Sequence, residues 1–455
     1  MPPMPIADAA FLLAEARERP MHVGGLQLFS FPEGTGPDFL ADLYDQTVRQ
    51  ADRSDVHPLF RRRAHRSLTT LGQWGWETDN DLDLEYHVRH SALPNPGRIR
   101  ELLALVSRMH STLLDRNRPL WEVSLIEGLE GGQQFAMYTK IHHALLDGVA
   151  AARFLQDVLS EDPDERDMAP PWSAPMRKTK RDGGPVKAAT SMVSGALHAA
   201  GETIGVGQAL ARSVRDAFRE HVTALPFQAP PSMLNVPITG GRRFAADSWE
   251  LARFRALRKA TGATLNDVVM AMCSGALRAY LFEQDALPEQ SLVAAVPVSL
   301  RTSDAAAEGG NAVGMLLCNL GTDLEDPADR LERVRTSMNQ GKERFADLSP
   351  GQIVALSAMV MAPLLVGRWA PRPPFNLTIS NVPGPRQPMY FNGAHLDGSY
   401  PLSIPSDGQA LNITCLSYAE HLEFGLTGCR RAVPHLQRLL SHLEDSLAGL
   451  EKATG

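Results

Sequence analysis

Two adjacent histidines, His142 and His143, lie in the stretch KIHHALLDGVAAARFL (Lys140–Leu155), and Asp147 and Gly148 follow them. Imidazoles and a carboxylate at this spacing can hold a metal, move a proton, or only pack. In extended chain neighbouring side chains point to opposite faces, so consecutive histidines do not easily share one ion. A helical turn could bring Asp147 toward His143, but two ligands make a poor zinc site, and no metal is expected. A histidine titrating near ~6.5 can accept a proton at neutral pH without a large shift. A satisfied core histidine is the usual reading of a lone imidazole. A second histidine, an acid and a glycine at one chain junction favour proton transfer. There is no G-x-S-x-G, and no cysteine lies close in sequence. A base here would act directly on a substrate hydroxyl, amine or thiol, in one displacement with no covalent acyl-enzyme.

The elements around the pair must aim it. QFAMYTKIHH alternates Phe135, Met137, Thr139 and Ile141, the pattern of a strand that ends at the histidines. Val149, Ala152, Leu155, Gln156 and Leu159 then recur at helical spacing, so the motif is a strand-to-helix junction. HVGGLQLFSF (His22–Phe31) and LWEVSLIEGL read as further strands, and Ile99–Leu114 as a helix. From Arg242 a second alternating region begins, with Thr264 as N-cap of a helix and LVAAVPVSLR, NAVGMLLCNL and FNLTISNVPGP as strands. AVPHLQRLLSHLEDSLAGLE reads as a C-terminal amphipathic helix. Between the two regions, residues 161–186 are rich in proline, glycine and charge and read as a mobile linker. An amphipathic helix is expected near 190–225. Strands and helices interleave in both halves, which gives an α/β class. Domain boundaries are expected at 1–160, at 161–240 for the linker and connecting helix, and at 241–455.

Composition limits the partners. The 455 residues are 44% apolar and 21% charged, with a net charge of −7, as in a soluble globular protein without a nucleic-acid footprint. Cys273, Cys318, Cys415 and Cys429 are scattered, which suits a reducing cytoplasm better than a disulfide framework. The N-terminus lacks the basic and apolar regions of a signal peptide. No apolar run is long enough to span a bilayer, so a lipid would be met from the surface. Arg61–Arg63 are expected in a surface turn. Arg177, Lys178, Lys180 and Arg181 form a basic cluster, read as solvated linker or as a membrane-surface contact.

HHALLDG matches the H-H-x-x-x-D-G motif of the coenzyme A-dependent acyltransferase superfamily. RPMHVGGLQLFSFPEG, PLWEVSLIEGL, TLNDVVMAMCSGALRAYL, VAAVPVSLR and FNLTISNVPGPRQPMYFNGA, in that order, resemble the bacterial wax ester synthase/diacylglycerol acyltransferase family. The resemblance covers essentially the whole chain outside the linker. It implies two chloramphenicol acetyltransferase-like domains with the active-site tunnel between them. It also implies transfer of a long-chain acyl group from acyl-coenzyme A to a long-chain alcohol or to diacylglycerol. Acyl-coenzyme A is then a substrate, and no cofactor is expected.

Carried over by position, His143 is the general base and His142 supports the loop. Asp147 is architectural and pairs with an arginine, best matched by Arg301, while Gly148 allows a close helix start. Pro119, Leu120 and Trp121 match the P-L-W motif, and Asn266 and Asp267 the N-D motif. Ser380, Asn381, Val382 and Pro383 match the segment that borders the substrate channel. Trp121 could equally be a strand anchor, and Asn266 either a helix brace or an oxyanion donor. An inward-facing Asp147 could not stay charged alone, so a buried pair with Arg301 is expected. The implied setting is cytoplasmic, with peripheral attachment to the inner membrane or lipid inclusions. Two rivals remain: a condensation-type enzyme using carrier-bound acyl groups, and a non-catalytic lipid-binding protein on the same fold. None of these motifs speaks to oligomeric state.

Overall fold

In the computed structural model the described residues are 4, 6–36, 38–49, 56–66, 72–174, 229–299, 313–346, 348, 352–353, 356–357, 360 and 373–454. The basic cluster at 177–181, the helix expected near 190–225 and Arg301 lie outside them. In chain order the first half holds α1 (Ile6–Ala14), β1 (His22–Ser30), α2 (Phe39–Tyr44), β2 (Arg62–Arg66), β3 (Trp74–Thr78), α3 (Leu84–His87), β4 (Val88–Ala92), α4 (Ile99–His110), β5 (Trp121–Leu129), β6 (Gln134–His142) and α5 (Gly148–Asp157). The second half holds β7 (Arg242–Glu250), α6 (Leu251–Thr261), α7 (Leu265–Glu283), β8 (Val293–Ser299), β9 (Val313–Asn319), α8 (Pro327–Ala346), β10 (Leu377–Val382), β11 (Tyr390–Phe391), β12 (Ala394–Leu402), β13 (Leu411–Tyr418), β14 (His421–Cys429) and α9 (Arg438–Thr454).

The described strands make two six-stranded mixed sheets and one two-stranded antiparallel sheet. The first sheet runs β11–β12–β1–β6–β5–β4, and the second β7–β14–β13–β10–β8–β9. β6 lies inside the first sheet, antiparallel to β1 and β5, and its last residue, His142, is paired with His22. A central strand has both edges hydrogen-bonded, so its end is a firm place to mount a side chain. α5 then lies back over β1. A Cβ on Gly25 would come 2.4 Å from Leu155 Cδ1, so the bare glycine backbone is what lets this helix settle.

β11 and β12 come from the second half of the chain but complete the first sheet. The 241–455 segment is therefore not a closed unit: it lends two strands to the 1–160 half. α4 returns the exchange, because the hydroxyls of its Ser107 and of Ser111 just after it accept hydrogen bonds from the Phe244 and Arg242 amides of β7, at 2.9 and 2.8 Å. That covers donors on an edge strand, which would otherwise invite pairing with another chain.

On the second sheet, α7 is buried along most of its length between α8 and α9. Thr264 caps it as expected, with Asp267 closing a capping box through the Thr264 amide at 2.9 Å. The described start of the linker is not a free tether. Trp172 is buried, and its carbonyl accepts from the His57 amide at 2.9 Å. Arg62 and Arg63, expected in a turn, belong to strand β2. The C-terminal helix starts at Arg438, later than its apolar pattern suggests, because Val433 and Leu436 are already buried in the turn leading into it.

Candidate active site

β6 delivers His142 and His143 to the rim of the first sheet, and the backbone then turns into α5. His142 is fully buried. Its amide donates to the Leu120 carbonyl at 3.0 Å, and its Nδ1 accepts from the Ala144 amide at 3.0 Å. With Nδ1 used as an acceptor, the proton of the neutral ring sits on Nε2. Nε2 faces the buried carboxylate of Glu15, with Oε1 3.3 Å away. The contact lies off the N–H axis, so it is a charge–dipole interaction rather than a well-formed hydrogen bond. Glu15 Oε1 also accepts from the Met21 amide at 3.3 Å, and Oε2 pairs with Arg116 at 2.9 Å. Burial pushes the Glu15 carboxyl up, but His142 and Arg116 outweigh it and hold the group below its ordinary value.

His143 is half-buried. Its amide donates to the Met21 carbonyl at 2.9 Å, and its ring stacks on Phe11 of α1 with centroids 4.0 Å apart. Nδ1 is buried against the residue's own carbonyl. Burial, with His142 alongside, lowers the imidazole to about 4, although Asp147 partly offsets the shift. At neutral pH the ring is uncharged and able to accept a proton.

Beneath the pair lies a buried polar layer. α4 ends at His110, and its last carbonyls need donors. His22 Nε2 lies 2.8 Å from the His110 carbonyl, and Lys140 Nζ donates to those of Met109 and Thr112 at 3.3 and 3.2 Å. Lys140 also pairs with Glu122 at 2.9 Å, and its side chain is only 1% exposed. Burial lowers the pKa of this ammonium, against the opposing pull of Glu122. His110 Nδ1 meets the Tyr138 hydroxyl at 2.9 Å.

Several expected site residues play other parts. Asp147 is exposed and caps α5, accepting from the Ala150 amide at 2.8 Å. The expectation of an inward, buried carboxylate does not match this position. A helix N-terminus and open solvent stabilise the charge without a cation. Gly148 is exposed, and a Cβ on it would come no closer than 4.0 Å to Val23, so no close approach demands glycine here. Pro119, Leu120 and Trp121 are all buried. The Trp121 ring is stacked between His87 and Trp172, and its Nε1 donates to the Phe60 carbonyl at 2.7 Å. With both faces covered and its N–H used, Trp121 anchors the strand and does not present a substrate surface.

Asn266 is half-buried at the start of α7, and Asp267 is spent on the capping box. Ser380 and Asn381 are half-buried on β10, Val382 is buried and Pro383 exposed. Among the described residues no hydrogen bond or ring contact joins Asn266, Asp267 or the 380–383 segment to the histidines. Of the expected residues, Leu120 touches the pair through its carbonyl; Phe11, Glu15 and Met21 also touch it, with Arg116 behind Glu15, and sequence reasoning did not single these four out. The only sequence signal for Phe11 and Glu15 is a short apolar run that ends in a glutamate.

Residues 4–269 match the wax ester synthase/diacylglycerol acyltransferase catalytic domain, and residues 309–451 match the C-terminal domain of the same family. The "Probable diacyglycerol O-acyltransferase tgs2" of Mycobacterium tuberculosis is 49% identical over 98% of both chains. An O-acyltransferase of Acinetobacter baylyi is 45% identical over 98% of this chain and 96% of its own length. The solved wax ester synthase/diacylglycerol acyltransferase of Marinobacter aquaeolei VT8 superposes with a TM-score of 0.82 at 46% identity over the whole of both chains. The starter condensation domain of rhizomide synthetase is 14% identical with a TM-score of 0.58 over 99% and 95% of the two chains, a likeness of fold alone. The chain belongs to the wax ester synthase/diacylglycerol acyltransferase family and is an acyltransferase.

Proposed function

We propose that this enzyme moves a long-chain acyl group from acyl-coenzyme A to the hydroxyl of a long-chain alcohol or of diacylglycerol, with His143 as general base. The observation that carries the reading is the state of His143: neutral, stacked on Phe11, held by its backbone, and with Nδ1 buried, so that Nε2 is the nitrogen the reading assigns to the substrate. Nε2 takes the hydroxyl proton as the oxygen bonds to the thioester carbon. The tetrahedral oxyanion needs preorganised donors, and Asn266 is the candidate. As the C–S bond breaks, the imidazolium returns its proton to the leaving thiolate, giving ester and free coenzyme A. No acyl-enzyme is required. Burial raises the thiols of Cys273 and Cys318 to about 12, far from nucleophilic at neutral pH. The reading uses no metal or cofactor, and it places the substrate tunnel between the two halves, bordered by Ser380 and Asn381.

Among the described residues no helix is long and apolar enough to cross a membrane. Acceptors that reside in lipid must then be taken from an interface, so the proposal includes a cytoplasmic enzyme that touches membrane or lipid inclusions peripherally. The test follows thiol release from palmitoyl-coenzyme A with hexadecanol or diacylglycerol. His143→Ala should fall by ~10²–10⁴-fold with either acceptor while staying folded. Near-wild-type release from that variant would remove the base assignment. Transfer only from carrier-bound acyl groups would favour the condensation-type reading.

A further inference from the structure

The contacts around His143 close into a ring. Its amide donates to the Met21 carbonyl, and the Met21 amide donates to Glu15 Oε1. The same oxygen faces His142 Nε2, while His142 Nδ1 accepts from the amide of Ala144, the residue after His143. The backbone on both sides of the base is thus tied to one carboxylate oxygen from the end of α1. Arg116 fixes the carboxylate from behind, since its guanidinium reaches Glu15 Oε2 at 2.9 Å and the Leu12 carbonyl at 2.9 Å. The Glu15 side chain is only 1% exposed, so it is out of reach of a substrate.

We infer that Glu15 is a positioning residue for acyl transfer, acting through His142 and Met21 to aim His143. Every group around the carboxylate is positive or an N–H: the Met21 amide donates to Oε1, the His142 Nε2–H dipole faces the same oxygen, and a guanidinium holds Oε2. A glutamine cannot replace it, because its NH₂ must confront one donor set or the other. Displacing the base by about an ångström can cost ~10²-fold in rate with little effect on binding. The inference rests on His143 being the base.

The experiment compares wild type, Glu15→Gln, His142→Asn and the double variant in the thiol-release assay, with folding followed by circular dichroism. Asparagine at 142 can still accept from the Ala144 amide but no longer reaches Glu15. Glu15→Gln should lower kcat by ~10–100-fold with KM within about twofold. In the His142→Asn background the same change should cost much less, because part of the route through which it acts is already cut. Should Glu15→Gln fail to fold, Glu15→Asp keeps the charge for Arg116 while withdrawing from His142, and the same coupling is expected. Full activity of the Glu15 variant, a loss confined to KM, or strict additivity with His142→Asn would overturn the inference. If His143→Ala were inactive and Glu15 additive, only this inference would fail. An active His143→Ala would remove the base reading beneath it.

Discussion

The two sheets bury ionisable groups differently. In the first half His22, His87, His110 and His142 are buried together with Glu15, Glu122 and Lys140. The charged members are paired, while burial holds His22 and His87 below their ordinary values and lowers His110 to about 3. In the second half Glu423 is buried, and burial raises it to about 8, with Asp247 adding to the rise and Tyr400 opposing it. Arg242 and Arg330 are also buried in the second half and donate to backbone carbonyls. Buried charge thus has polar partners in both halves, but the first half gathers neutral histidines and the second holds a protonated acid, Glu423. The proposed chemistry sits where the neutral form is a base.

The largest test of this contrast is Lys140→Met. It leaves Glu122 buried with only the part-exposed Arg89, 3.2 Å away, and should cost ~3–5 kcal/mol of stability. It should also lower kcat, because Lys140 lies on the strand that ends at His142. Phe424→Ala, in the apolar core of the second sheet, should cost a similar ~3–5 kcal/mol yet leave kcat of the folded protein unchanged. Urea titration beside the thiol-release assay checks both; a second-half core variant that lost kcat in the folded state would break the contrast.

A smaller effect separates the halves by pH. His22, His87 and His110 have folded pKa values below the unfolded ~6.5, so the unfolded chain takes up protons first as pH falls. Their contribution to stability is full above ~6.5 and is lost toward lower pH. Glu423 has the opposite sign. Between an unfolded value of ~4.3 and the folded value of about 8, the unfolded chain releases its proton first, so stability declines as pH rises. Glu423→Gln should therefore raise Tm on the alkaline side of that window and change it little on the acid side. Differential scanning calorimetry across the range measures this, and a gain confined to acid would reverse the assignment.

Much of this was legible in sequence where the pattern was local. Alternation along β1, β5 and β6, the Thr264 cap and the strand-to-helix junction at His142 and His143 are short-range features, and each is found where the pattern puts it. β12 was not legible: HLDGSYPL has little apolar alternation, because its place between β1 and β11 is set by pairing across the whole chain. α8 went unread although Leu331, Val334 and Met338 are helically spaced and buried. Glu15 meets His142 and Arg116 only through tertiary structure, so nothing beside any of them in sequence announces the contacts. Asp147 shows the converse. The motif suggested a buried acid, but an acid just before a helix is equally a cap, and the cap is what the backbone makes of it.

The most direct measurement is the acid limb of kcat/KM for thiol release, taken on protein shown by circular dichroism to remain folded. This limb reports the free enzyme's essential base. If His143 is that base in the buried, Phe11-stacked setting, the limb lies well below ~6.5 and approaches about 4. A limb at or above ~6.5 in folded protein would contradict the account, because the reacting group would then be a solvated imidazole or another residue altogether.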